Sequence, residues 1–134
     1  MLIVKQSQIK DSGKGLFTDK SFKKGDKIVE FVGKILTNKQ VDKLSDKQKE
    51  YLIELGKNKT LFVAGCKASY TNDASFGKTK FKNNSEIMID EEGKVYLSAT
   101  KTINAGDEIF TFYGKEYWTT KQNESRIKYF DDFI

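Results

Sequence analysis

Short apolar runs, rich in β-branched and aromatic residues, recur along this chain and are set apart by glycines and charged turns. Such runs predict many brief β-strands. Leu2-Ile3-Val4 predicts the first, Ile28-Val29-Glu30-Phe31 another, and Leu61-Phe62-Val63-Ala64 a third. Glu86 to Asp90 and Lys94 to Ala99, joined through Glu91-Glu92-Gly93, predict a hairpin. Ile109 to Tyr113 is β-branched and aromatic, which suits a buried strand, and Ala105-Gly106-Asp107 before it reads as a turn. Helical spacing is confined to Thr37 through Gly56. There Ser45 and Gln48 form a capping-box pattern, Tyr51, Leu52 and Leu55 share one helical face, and Gly56 suits a C-terminal cap. Thr37 with Gln40 predicts a shorter helix just before it.

One pattern occurs twice. Phe22, Gly25, Ile28 and Phe31 match Ile103, Gly106, Ile109 and Phe112, each pair 81 positions apart. Each copy holds an apolar residue, a Gly-Asp turn and a strand, which predicts two like units side by side in one β structure. Two loops also stand out. Asp11-Ser12-Gly13-Lys14-Gly15 sets two glycines around a lysine, either as a flexible turn or as a backbone cradle for a ligand. Ser69 to Asn84 is long, polar and irregular, and such loops in a compact domain are functional or disordered. Its flanking aromatics predict that it is anchored. After Lys115-Glu116-Tyr117-Trp118 comes a polar tail whose Tyr129, Phe130 and Phe133 predict docking on the core.

The chain has 134 residues, 37% of them apolar and 13% aromatic, enough for one domain with one core. The lone cysteine, Cys66, excludes an internal disulfide and a cysteine-built zinc site, and it suits a soluble protein of a reducing, intracellular compartment. No run of about 18 apolar residues is present to span a membrane. The apolar start is too short for a secretory signal. There is no histidine, which removes the usual general base, the Ser-His and Cys-His pairs and most transition-metal sites. Chemistry here must run on Tyr, Lys, Asp, Glu or backbone groups, or on a cofactor. The net charge of +5 comes from lysines scattered along the chain, so it reads as a solvated surface with a weak preference for anionic partners.

Four pieces stand in order: Gly13-Lys14-Gly15-Leu16-Phe17; Ile28-Val29-Glu30-Phe31-Val32-Gly33; Tyr70-Thr71-Asn72-Asp73; and Gly106-Asp107-Glu108-Ile109 through Phe112-Tyr113-Gly114. Together they resemble a SET domain, the lysine methyltransferase fold that uses S-adenosyl-L-methionine. The resemblance covers about residues 2–118 and looks like a minimal version, close in size to small viral and microbial members. It implies a mainly β fold with short helices, a β-clip of several small sheets with a pseudoknot-like C-terminal part. Residues 1–134 would then be a single SET domain, with 119–134 a C-terminal segment docked on the core.

The resemblance also implies a site. Lys14 and Gly15 match the glycine-loop positions that touch the cofactor through backbone. Asn72 matches the asparagine of the Asn-His-Ser motif, and Asp73 stands where that motif has histidine. Tyr113 matches the catalytic tyrosine at the cofactor–substrate junction, and Trp118 the aromatic beside the adenine. Phe31, Tyr70, Thr111 and Phe112 would line the channel for the substrate lysine. Phe31 replaces a tyrosine common there, and Thr111 replaces a Phe or Tyr that tunes methyl number, so the product state stays open. The segment Ser75 to Lys82 is longer than in many relatives.

Such chemistry suits a chain without histidine or metal. Methyl transfer from a sulfonium to an amine is an in-line displacement, in which positioning carries much of the rate. The attacking lysine must be neutral although its free pKa is about 10.4; a dry aromatic channel and the adjacent positive sulfonium both lower it. A protein or peptide bearing lysine, histone or other, is the implied partner, and the protein itself a monomer or homodimer. Two other classes stay in view. The paired turn-and-strand units would also fit a non-catalytic β-clip binding module. Aromatics interleaved with lysines would fit a small nucleic-acid binder, although no stripe or motif for one is present.

Overall fold

The computed structural model describes residues 1–75 and 79–112. Among those residues there are nine short strands and one short α-helix: β1 (Leu2–Gln6), β2 (Lys14–Thr18), β3 (Lys27–Glu30), β4 (Lys34–Leu36), α1 (Asn38–Asp42), β5 (Leu52–Gly56), β6 (Lys59–Phe62), β7 (Ser85–Ile89), β8 (Val95–Ala99) and β9 (Glu108–Ile109). They form three antiparallel three-stranded sheets, ordered β1-β2-β9, β3-β8-β7 and β4-β6-β5. All three sheets turn apolar side chains onto one core: Leu16 and Ile109 from the first, Ile87, Val95 and Leu97 from the second, Ile53 and Leu61 from the third. A fully buried Leu or Ile contributes roughly 1.5–3 kcal/mol, so this shared core ties the three sheets together. Among the described residues no helix is long and apolar enough to cross a membrane.

The repeated pattern is the plan of the fold. In both copies an aspartate closes its own turn: Asp26 Oδ2 accepts the Lys23 N–H (2.8 Å), and Asp107 Oδ2 accepts the Asn104 N–H (2.9 Å). Gly25 and Gly106 take φ of 92° and 95°, the left-handed region that a side chain resists. Gly25 N–H donates to the Ala99 carbonyl and Gly106 N–H to the Thr18 carbonyl, both at 2.7 Å. Phe22 and Ile103 meet between the copies in an antiparallel bridge, exchanging hydrogen bonds of 2.8 and 2.9 Å. The two units therefore lie side by side at that bridge, as the repeat predicts, but their strands enter different sheets. β3 pairs with β8 and β9 with β2, with Lys27 opposite Ser98 and Glu108 opposite Phe17. Those two pairs keep the same 81-position offset; beyond them the copies diverge, since β3 slips by one residue at Val29 while Ile109 stays opposite Leu16.

The helical expectation for Thr37–Gly56 holds only at its start. Thr37 caps α1 in a complete capping box with Gln40. Ser45 and Gln48 do exchange the predicted bonds, at 2.9 and 3.2 Å, yet they introduce only a single 3-10 turn, Gln48–Tyr51. Leu52–Gly56 is a strand rather than a helix. Leu52 and Ile53 are both fully buried and face Phe62 and Leu61 across the β5–β6 ladder. The turn at Lys57-Asn58, with Asn58 at φ 55°, reverses the chain there. Non-local pairing outweighs a modest local preference for helix. The predicted hairpin at 86–99 forms as β7 and β8; the strand expected at Leu61–Ala64 lies two residues earlier, as β6.

Candidate active site

The glycine loop leads into β2, the central strand of the first sheet. Its Lys14 carbonyl accepts a 3.0 Å hydrogen bond from the Asn72 side-chain amide. Asn72 follows a 3-10 turn, Lys67–Tyr70, which is fixed by Ala68, buried in the main core. The Asn72 carbonyl in turn accepts the Thr111 N–H at 2.9 Å, and Asn72 pairs with Phe110 in a parallel bridge. Two motifs far apart in sequence are thus tied to one another and to the strand that leads into Tyr113.

That strand is threaded between two segments. Opposite the Asn72 side, the Phe110 carbonyl accepts bonds from Asn84 N–H, Ser85 N–H and Ser85 Oγ, at 3.1, 3.0 and 2.8 Å. Asn84 adds a bracket of its own. Its side-chain amide donates to the Glu108 carbonyl and its Oδ1 accepts the Phe110 N–H, at 3.0 and 2.9 Å. The long loop before Asn84 is anchored, as its aromatics predict: Phe81 packs on Phe110 with centroids 5.4 Å apart. Its ends are closed by Asn83, which takes the Ala74 N–H on Oδ1 (2.8 Å) and donates to Asp73 Oδ1 and Ser75 Oγ, at 3.1 and 2.6 Å.

The residues singled out in the sequence fall into three groups. Lys14, Gly15 and Asn72 come together. Asp73 adjoins them, its side chain buried and its Oδ1 accepting the Ser75 N–H and the Asn83 amide at the loop closure. Of the channel set, Tyr70 and Phe112 are exposed, at 37% and 50%, while Phe31 and Thr111 are buried. Phe31 packs in the main core, and the Thr111 hydroxyl donates to the Ser85 carbonyl at 3.2 Å. Tyr113 and Trp118 lie outside the described residues.

The sequence reading passed over Glu108, Ser7 and Asn84. Glu108 is 2% exposed. Its Oε2 accepts the Ser7 hydroxyl at 2.6 Å and its Oε1 the Gln8 N–H at 2.8 Å. A methyl group at Gly15 would overlap Oε2 and sit 3.0 Å from Cδ, so the close neighbour that demands glycine there is this carboxylate. The only hint in the sequence is a charged residue at the head of an apolar strand. Asn84 had no signal beyond lying at the end of a polar loop.

The SET domain family model matches residues 13–114. The chain belongs to the SET-domain family. The match begins at the glycine that opens the Lys14 cradle and ends beside Tyr113. The histone-lysine N-methyltransferase EZH2 of Chaetomium thermophilum is 22% identical over 129 residues, covering 87% of this SET-domain chain and 8% of that protein. A crystal structure of an active polycomb repressive complex 2 in the basal state contains a chain that superposes with a TM-score of 0.75 at 24% identity, over 96% of this chain and 17% of that one. A ctPRC2 structure in complex with H3K27me3 and H3K27M gives a TM-score of 0.74 at 24% identity, over 96% and 16%. At that identity the likeness establishes the fold, a mainly β arrangement of small antiparallel sheets. The SET domain here spans under a tenth of its curated relative's length and about a sixth of the solved chains.

Proposed function

We propose that this SET domain transfers a methyl group from S-adenosyl-L-methionine to the side-chain amine of lysine in a protein or peptide, with histone tails a first class to test. The observation that carries the proposal is the Asn72–Lys14 hydrogen bond, which joins the two cofactor motifs beside Thr111 and Phe112. The donor set suits the amino-acid end of the cofactor. Among the described residues nothing donates to Asn72 Oδ1, which leaves a half-buried acceptor for an ammonium group, and Lys14 is exposed at the mouth of the cradle. When bound, the cofactor supplies an electrophilic methyl on a cationic sulfur.

The chain's own residues do the rest. The Lys14 and Gly15 backbone and Asn72 would orient the methionine end, and Asp73 would contribute backbone groups. Trp118, by its place in the family pattern, would cover the adenine. Exposed aromatic rings at Tyr70 and Phe112 would form walls that strip water from an incoming ammonium and favour its neutral form. The tightly packed Phe31 and Thr111 would fix the floor behind them. Tyr113 follows Phe112 directly, and its hydroxyl oxygen would align the reacting methyl through weak C–H hydrogen bonds; water can take the amine's proton.

Calorimetric titration of the whole chain with S-adenosyl-L-methionine tests the reading. Saturable binding, weakened by Asn72→Ala, is the expected result. No heat of binding at millimolar cofactor would remove the enzymatic reading and leave the binding-module alternative.

A further inference from the structure

We propose that Glu108 is a positioning residue for the cofactor cradle, a deeper reading of the site that rests on the function proposed above. Its carboxylate is buried and meets no cationic side chain among the described residues. A buried carboxylate held only by neutral donors is costly, so its presence at this place calls for a physical reason.

The internal duplication shows what that reason is not. Lys27 occupies the equivalent place in the other copy, 81 positions earlier, and Tyr96 the place equivalent to Gly15. There an exposed ammonium lies 4.4 Å over a tyrosine ring. The same Gly-Asp turn and the same first ladder pair form there with no buried acid, before β3 slips by one residue at Val29, so neither the turn nor that pair requires one.

The copies differ in the connection between their hairpin strands. β7 and β8 are joined by a tight turn, in which Asp90 N–H donates to the Lys94 carbonyl at 2.9 Å. β1 and β2 are joined by the longer loop 7–13, with Asp11 and Gly13 both at positive φ, 64° and 65°. That loop delivers Gly13-Lys14-Gly15. Glu108 grips its shoulder through Ser7 and Gln8. Ser7 Oγ also accepts the Ile9 N–H at 3.1 Å, and Ser7 N–H donates to the Gly13 carbonyl at 2.8 Å. From the other side Asn72 holds the Lys14 carbonyl. The cradle is thereby clamped between an amide and a carboxylate, and the carboxylate acts through Ser7 and Gln8 without touching the ligand.

The test uses the whole chain and S-adenosyl-L-homocysteine as probe, so that binding is read without turnover. Glu108→Gln and Ser7→Ala are each expected to weaken binding about tenfold, the effect of loosening one charge-assisted hydrogen bond that orders the loop. The KM for cofactor should rise by a like factor, with kcat at saturation within about twofold of wild type. Ser7→Thr, which keeps a hydroxyl, should bind as wild type does. Ile103→Val, remote from the loop, serves as a control for lowered stability and should leave affinity unchanged. Should Glu108→Gln fail to fold, the Ser7 pair decides. Wild-type affinity in Ser7→Ala, or a fall in kcat at unchanged KM, overturns the positioning role alone. Absence of probe binding by the wild-type chain overturns the cofactor reading beneath it as well.

Discussion

Replacing Gly15 with alanine should destabilise the fold through the Glu108 carboxylate, and the size of the loss follows from the geometry. The new methyl would overlap Glu108 Oε2 and lie 3.2 Å from Ser7 Cβ. The offending atom is the free end of a side chain, so the cheapest response is for the carboxylate to swing away. That response breaks its bonds to Ser7 Oγ and Gln8 N–H. Hydrogen bonds to a charged group contribute about 1.5–3 kcal/mol each, so the loss is roughly 3–6 kcal/mol. The reduced freedom of alanine in the unfolded chain returns about 0.4–1 kcal/mol. Against a total stability of about 5–15 kcal/mol, the variant should fold but melt early. Glu108→Ala forfeits the same two bonds and should cost a similar amount. The double variant Gly15→Ala/Glu108→Ala loses them only once, so its cost should match either single one within about 1 kcal/mol. Urea unfolding of all four proteins at a common m-value measures this cycle. Additive costs would refute the argument, because they would mean that Gly15 and Glu108 are needed for unrelated reasons.

Other perturbations have definite outcomes. Gly33→Ala should be worse than Gly15→Ala, with loss of soluble folded protein, because its methyl would overlap the Phe62 carbonyl and lie 3.1 Å from Val63 Cα, all of it backbone that cannot swing away; circular dichroism of the purified chain decides. Asn84→Ala removes both bonds that bracket β9, at a cost of about 2–4 kcal/mol, and should lower kcat more than cofactor affinity, since it loosens the strand leading into Tyr113. Asp90 governs acid behaviour at the β7–β8 hairpin. The Lys94 N–H, then that of Glu92, holds its carboxyl below the usual carboxylate range. The folded value is the lower one, so this support is present above the ordinary carboxylate value of about 3.9 and fades as pH falls through the folded value. Protection factors of the hairpin amides, corrected for the intrinsic pH dependence of exchange, should fall below about pH 4 in wild type and stay flat in Asp90→Asn.

The strands were legible because runs of β-branched and aromatic residues and Gly-Asp turns are local signals, and the duplicated pattern of Phe22–Phe31 and Ile103–Phe112 pointed to two like units side by side, which the structure joins at Phe22 and Ile103. The helical reading of Tyr51–Leu55 fails because Tyr51, Leu52 and Leu55 fit one helical face, while Ile53 between them completes an apolar run that suits a buried strand equally well. What settles them is Leu61 and Phe62 on the partner strand, which no local window contains. Lys14, Gly15 and Asn72 were singled out by likeness to a family pattern, and the structure brings them together. Glu108 was not, since nothing local marks a glutamate as buried. Its role depends on loop 7–13 folding back a hundred residues away, and the reason for glycine at position 15 changes once that loop is seen.

Mass spectrometry of histones and a protein lysate, incubated with the whole chain and isotopically labelled S-adenosyl-L-methionine beside a Tyr113→Phe variant of equal thermal stability, decides whether methyl groups pass to lysine. Labelled methyl groups are expected on lysine side chains with the wild-type chain, with a loss of at least about a hundredfold in the variant, on the scale of removing a group that acts in the transition state. Labelling that is equal in both, or no labelled lysine from a chain that is folded and saturated with cofactor, would contradict the proposed function.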